Sequence, residues 1–148
     1  RKRMFRPRVL IYISLLVLVS VALVVSMALR DTLKMNIIRD RGLLGREVAG
    51  GLIENVYRLQ LVNAAEEPLT IQLSADGIAQ IKIKRADNGK DTIGLPASST
   101  ALVPVVVQIP SDSGLSTGMH AIEIRADSVA GQRQNTHAKD TSNFYIPQ

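Results

Sequence analysis

Residues 53–63 read IENVYRLQLVN, and this stretch decides the fold. Tyr57, Leu59 and Leu61 fall on one side of an extended chain, with Arg58 and Gln60 on the other. That is the period of two expected of a half-buried β-strand. The same alternation recurs downstream. Residues 69–74 place Leu69, Ile71 and Leu73 inward, 78–84 set Ile81 and Ile83 against Lys82 and Lys84, and 120–125 set Ile122 and Ile124 against Glu123 and Arg125. Residues 100–109 are rich in Val, with Pro104 suited to an edge or bulge position. A loop over 127–140 and a closing strand over 143–146 complete the run. Ala64 to Pro68, Asp76-Gly77 and Asp87-Asn88-Gly89 supply the turns. About seven short strands with no amphipathic helix between them predict an all-β, immunoglobulin-like antiparallel sandwich. The Cys…Trp…Cys pattern of antibody domains is absent, because the chain has neither residue.

Upstream, the chemistry changes. Residues 9–29, VLIYISLLVLVSVALVVSMAL, carry no charge. As an α-helix they reach roughly 31 Å at about 1.5 Å per residue, matching a hydrocarbon core of about 30 Å. Arg1, Lys2, Arg3, Arg6 and Arg8 precede this run, whereas Arg30, Lys34, Arg39, Arg41 and Arg46 follow it more sparsely. The denser basic flank belongs on the cytoplasmic side, so the strands are expected outside the cytoplasm. A cleaved secretory leader, with Ser26-Met27-Ala28 as the small-x-small site, is the alternative, but the apolar run exceeds the about 7–15 residues of a leader. A buried soluble helix is a further alternative, although few such helices are apolar on every face. The expected organisation is a basic flank over 1–8, a transmembrane helix over 9–29, a connector over 30–46 and a sandwich domain over 47–148. The connector is read as a short link leading into a first strand near Ile37-Ile38, then a turn at Leu43-Leu44 with Gly42 and Gly45 as punctuation.

Charge excludes one class of function. Five of the 18 Lys and Arg lie in the basic flank, and the 13 that remain are matched by 13 Asp and Glu. A neutral domain does not predict nucleic-acid binding. The absence of cysteine excludes disulfides, thiolate catalysis and Cys-ligated clusters within this chain. The expected partners are the lipid bilayer and other proteins.

Few residues suggest chemistry. Met119 beside His120 pairs a soft thioether with an imidazole, a conceivable copper pair, although a stable site needs more ligands than two. His120 equally serves as a strand residue at the end of the sandwich, and His137 is expected in a solvated loop. Asn55 and Asn63 flank the Tyr57 strand; the Asn63 amide is expected to cap the turn that follows. Tyr57 is expected inward with its hydroxyl at the sandwich edge. Glu66-Glu67 reads as a solvated turn, and Gly50-Gly51 lacks the context of a phosphate loop. Lys82, Lys84 and Arg85 read as a solvated face or one touching lipid headgroups. No catalytic or cofactor-binding residue is expected.

One arrangement is specific enough to suggest a family. An apolar helix is followed by Leu43-Leu44-Gly45-Arg46-Glu47, then by Gly51-Leu52-Ile53-Glu54-Asn55-Val56-Tyr57-Arg58-Leu59 and Leu61-Val62-Asn63, and the chain closes with Phe144 and Pro147. This resembles the C-terminal part of the FixG/CcoG (RdxA) family, accessory proteins of cbb-type cytochrome c oxidase. The resemblance implies a bacterial inner-membrane protein with an immunoglobulin-like domain in the periplasm. It implies [4Fe-4S] clusters in an upstream part and a role in copper reduction and delivery, so the parent would be an iron–sulfur oxidoreductase acting as a cupric reductase. This segment would be its non-catalytic piece, binding copper only indirectly if at all. A free-standing single-pass adhesion or envelope-structure module is the alternative.

Overall fold

The computed structural model describes residues 6–39, 45–131 and 135–148. Residues 1–5 of the basic flank, Leu43-Leu44 of the expected turn and 132–134 of the expected loop lie outside them. The chain divides into two units, Arg1–Arg30 and Asp31–Gln148.

The first unit is helix α1, Pro7–Ala28. Pro7 stands at its start, where a missing N–H costs nothing, behind an extended Arg6. None of its residues is buried, and among the described residues it is the helix long and apolar enough to cross a membrane. Its polar interruptions are compatible with lipid. The Ser20 hydroxyl, for instance, donates to the Leu16 carbonyl at 2.8 Å and so needs no water.

The second unit is a two-sheet sandwich. Nine strands form among the described residues: β1 Leu33–Arg39, β2 Arg46–Val48, β3 Leu52–Asn63, β4 Leu69–Asp76, β5 Lys82–Arg85, β6 Thr92–Leu95, β7 Ser99–Pro110, β8 Gly118–Ser128 and β9 His137–Ile146. One sheet runs β1-β3-β7-β5, with β2 pairing the start of β3; the other runs β6-β4-β8-β9. Every pairing is antiparallel. The core lies between the sheets, where the alternation of each strand sends its apolar set. Leu59 and Leu61 from β3, Val105 and Val107 from β7, Ile71 from β4 and Ile124 from β8 are all fully buried there. Phe144 of β9 closes the interior. Full burial of such side chains stabilises by about 1.5–3 kcal/mol each, which is how a cysteine-free domain holds together.

Four expectations change in detail. The first strand expected near Ile37-Ile38 is present but longer, taking up much of the stretch read as a connector: β1 pairs with β3 from Leu33↔Asn63 to Arg39↔Tyr57, and Leu33 is 2% exposed. His137 opens β9 opposite Asp127 and does not lie in a loop; the expected 127–140 loop shortens because β8 reaches Ser128 and β9 begins at His137. The strand expected over 78–84 starts only at Lys82. Pro104 lies in an inner strand, since β7 pairs with β3 throughout and with β5 at Val105 to Gln108. Its carbonyl accepts from Ala86 N–H at 3.0 Å on the β5 side, just past the end of β5. The ring nitrogen faces that same side, where the ladder has already stopped, so no hydrogen bond is lost.

Candidate functional site

Met119 and His120 are consecutive residues of β8, and adjacent strand residues project to opposite faces. Met119 is 53% exposed, and its sulfur accepts from Arg39 Nη2 at 3.7 Å. His120 shares the inward face with Ile122 and Ile124, and its Nε2 lies 2.7 Å from the Ser116 carbonyl. A carbonyl only accepts, so Nε2 is the donor. The two side chains therefore do not converge on one ion, and the pair does not fit copper. No group of three or more His, Cys, Asp or Glu able to hold a metal is found among the described residues. Glu66 and Glu67 are exposed in the β3–β4 turn.

The buried polar residues act as fasteners. Asn63, 1% exposed, donates through Nδ2 to the carbonyls of Glu67 (2.9 Å) and Pro96 (3.1 Å), and its Oδ1 accepts from Ala65 N–H (3.1 Å). This is the expected turn cap, extended to a second loop. Tyr57, 2% exposed, reaches across the sandwich to donate to the Asn143 carbonyl at 2.9 Å. Burial raises its phenol pKa above the ordinary value, more than the charge of Arg39 lowers it.

Asn55 has a role that periodicity does not announce. Its Oδ1 accepts from Gly45 N–H and its Nδ2 donates to the Tyr145 carbonyl, both at 2.9 Å. One amide thus ties together the lead-in to β2, strand β3 and strand β9. Gly45 is required there, because a Cβ would stand 2.5 Å from the Tyr145 oxygen. The signal in the sequence was an Asn at an inward position of an otherwise apolar strand face.

Glu54 is another residue the alternation alone does not explain. It lies on the outer face of its sheet yet is only 7% exposed. Its Oε1 accepts from Arg46 Nη2 at 2.7 Å, and its Oε2 from Gln108 Nε2 at 2.7 Å. Both donors sit directly opposite it, on β2 and β7. Burial pushes its carboxyl upward. The hydrogen bonds from Arg46 and Gln108, with the charges of Arg46 and Lys84, outweigh that and hold it below the ordinary 4.5.

Two grooves flank the β5 edge of the sandwich. A groove of about 630 Å³ runs beside it, lined by Leu52, Ile81 and Pro110 among others. A second, of about 440 Å³, opens between β5 and β4 and is lined by Leu73, Ala75 and Ile83 among others. Arg85 at the end of β5 is engaged with Asp87, donating from Nε to Oδ1 at 2.9 Å. Among the described residues, Lys82 and Lys84 have no carboxylate within ion-pair distance.

Comparison with known proteins places this geometry. A family model described as the IG-like fold at the C-terminal of FixG matches residues 23–147. Nitrogen fixation protein FixG of Rhizobium meliloti (strain 1021) is 27% identical over 150 residues, covering 97% of this chain and 28% of its own length. Protein RdxA of Cereibacter sphaeroides is 28% identical over 131 residues, covering 88% of this chain and again 28% of its own length. The chain thus spans just over a quarter of the curated relatives it matches. A crystal structure of a FixG-related protein from Vibrio parahaemolyticus superposes with a TM-score of 0.61 at 19% identity, covering 78% of this chain and 97% of that one. That likeness shows the shared sandwich fold.

Proposed function

The chain belongs to the family of FixG C-terminal immunoglobulin-like domains, and on that premise we propose that it is a membrane-tethered docking domain of an accessory protein for cbb-type cytochrome c oxidase assembly. One observation carries the reading. The match to FixG and RdxA takes in nearly all of this chain but only 28% of theirs, so this chain corresponds to one part of those proteins. The buried polar side chains support a role in presentation over one in chemistry, since Asn55, Tyr57 and Asn63 fasten strands and turns to each other. On this reading the domain stands in the periplasm. Iron–sulfur clusters, copper reduction and copper delivery belong to the part of such proteins outside this chain, which has no cysteine to ligate a cluster. The extensive match weighs against a free-standing adhesion or envelope module.

The test is a domain exchange in the full-length protein. Residues 31–148 are replaced by an unrelated sandwich of similar size while helix α1 is kept. The expected result is loss of assembled cbb-type oxidase, read by its haem spectrum and oxygen uptake, with the upstream cluster signal retained in electron paramagnetic resonance. Full oxidase assembly by the exchanged protein would overturn the proposal.

A further inference from the structure

We propose that the exposed edge of β5 is a strand-addition site for an extended acidic segment of a partner protein, with acidic residues alternating with apolar ones. The inference rests on the docking role above and assigns it a surface.

The backbone supplies the first argument. Arg85 N–H donates to the Lys90 carbonyl at 2.7 Å, away from β7, whereas Ala86 N–H donates to Pro104 on β7. Strand groups alternate in direction, so Ile83 turns its N–H and C=O the same way as Arg85, toward the open side. Across the slot, Leu73 N–H donates to the Asp91 carbonyl at 2.7 Å on the β6 side of β4. Ala75 points its backbone the same way, beyond the end of β6, whose pairing with β4 stops at Gln72↔Thr92. Among the described residues, nothing pairs with these groups of Ile83 and Ala75. The slot between them is about 440 Å³, room for a small apolar side chain beside Ile83.

Charge selects the occupant. Lys82 and Lys84 both project to the outer face, flanking Ile83; among the described residues neither has a carboxylate within ion-pair distance, although the charge of Lys84 also acts on Glu54. A strand laid along β5 meets them with its own outward residues, two apart. Acidic residues at that spacing pair with both lysines while the residue between them enters the slot. The same lysines disfavour a second copy of this chain: an antiparallel pair of β5 edges centred on Ile83 would set Lys82 of one copy opposite Lys84 of the other.

The experiment uses the full chain in nanodiscs of zwitterionic lipid and a blocked ten-residue peptide alternating Glu and Val. Backbone amide exchange is followed by nuclear magnetic resonance. Saturable binding that protects the Ile83 amide is expected. K82E/K84E should weaken it roughly tenfold and confer binding of the matching Lys–Val peptide. N-methylation of the central Val amides, which keeps the charge but removes strand pairing, should abolish protection. Failure of the Glu–Val peptide to protect Ile83, or equal binding of the Lys–Val peptide by the parent, overturns the site. So does self-association through β5, or binding to phosphatidylglycerol vesicles without Ile83 protection in the peptide titration. Such a failure removes this edge as the docking surface and leaves the domain-exchange result standing on its own.

Discussion

Asn55 and Glu54 are neighbours on β3 that face opposite ways, and each holds the fold through polar atoms. Replacing Asn55 with Ala leaves the Gly45 N–H and the Tyr145 carbonyl without the partner each has now. A buried group left unsatisfied costs about 1–3 kcal/mol, so Asn55→Ala should lower stability in urea unfolding by at least that range. Asn63→Ala should do the same, since it releases Glu67, Pro96 and Ala65 together. Loss of well under 1 kcal/mol in either variant would show that the amides are dispensable. Glu54 gives a pH dependence with a definite sign. Its folded pKa lies below the ordinary 4.5, so the folded state favours the carboxylate. The stability this contributes is fully present above about 4.5, the ordinary value, and is lost as pH falls through the lowered folded value. Glu54→Gln, which keeps the shape and removes the titration, should flatten that part of the stability–pH curve. Parallel curves for parent and variant below pH 5 would contradict the assignment.

Strands whose inward sets are dominated by apolar residues alternating with polar ones were legible from the sequence: β3, β4 and β8 carry Leu59, Ile71 and Ile124 on the expected faces. The strands that escaped notice lack that contrast. β6, Thr92–Leu95, is short and interrupted by Gly94. β2, Arg46–Val48, buries little and exists through its pairing with β3. The first part of β9 alternates only between half-buried and exposed residues, because it is an edge strand set by β8. Of the candidate residues, Asn63 and Tyr57 were readable because a turn and an aromatic in a strand have few alternatives. Asn55 and Glu54 were not, because each joins a partner near in sequence to another 90 or 54 residues away, and strand alternation announces neither contact. β1 matters most among the strands that local pattern underrates. Its alternation of Leu33, Met35 and Ile37 with Lys34 and Asn36 is diluted by Ile38 and by flanking charge, yet those three residues pack against the core. With about 1.5–3 kcal/mol for the fully buried Leu33 and less for the half-buried Met35 and Ile37, β1 contributes a few kcal/mol, a large share of a domain stability of about 5–15 kcal/mol. A chain beginning at Gly45 should therefore lack a cooperative unfolding transition, whereas one beginning at Asp31 should retain it. Matching calorimetric transitions for the two would mean that β1 is an ornament on the sheet.

At the scale of the whole molecule the two units answer to different solvents. Helix α1 shows its apolar side chains on every face, and the sandwich hides its own between two sheets. The charges are divided accordingly: five basic residues stand in 1–8, while those of 31–148 come close to balance. An anionic inner leaflet and the rule that Lys and Arg stay on the cytoplasmic side act on the first group and hardly on the second. Orientation should therefore be set by the flank and be reversible by changing it. Alkaline phosphatase, active only after export, is fused after Gln148. The parent chain should give high activity, and the sandwich should be cut by protease added to spheroplasts. Exchanging Arg1, Lys2, Arg3, Arg6 and Arg8 for Gln removes the denser basic flank and leaves Arg30, Lys34, Arg39, Arg41 and Arg46 as the larger cluster beside the helix. Phosphatase activity should then fall severalfold, with protease protection in spheroplasts rising in parallel. High activity in both chains would mean that the flank does not choose the side, and low activity in the parent would put the sandwich in the cytoplasm, where a periplasmic partner for the β5 edge has no access.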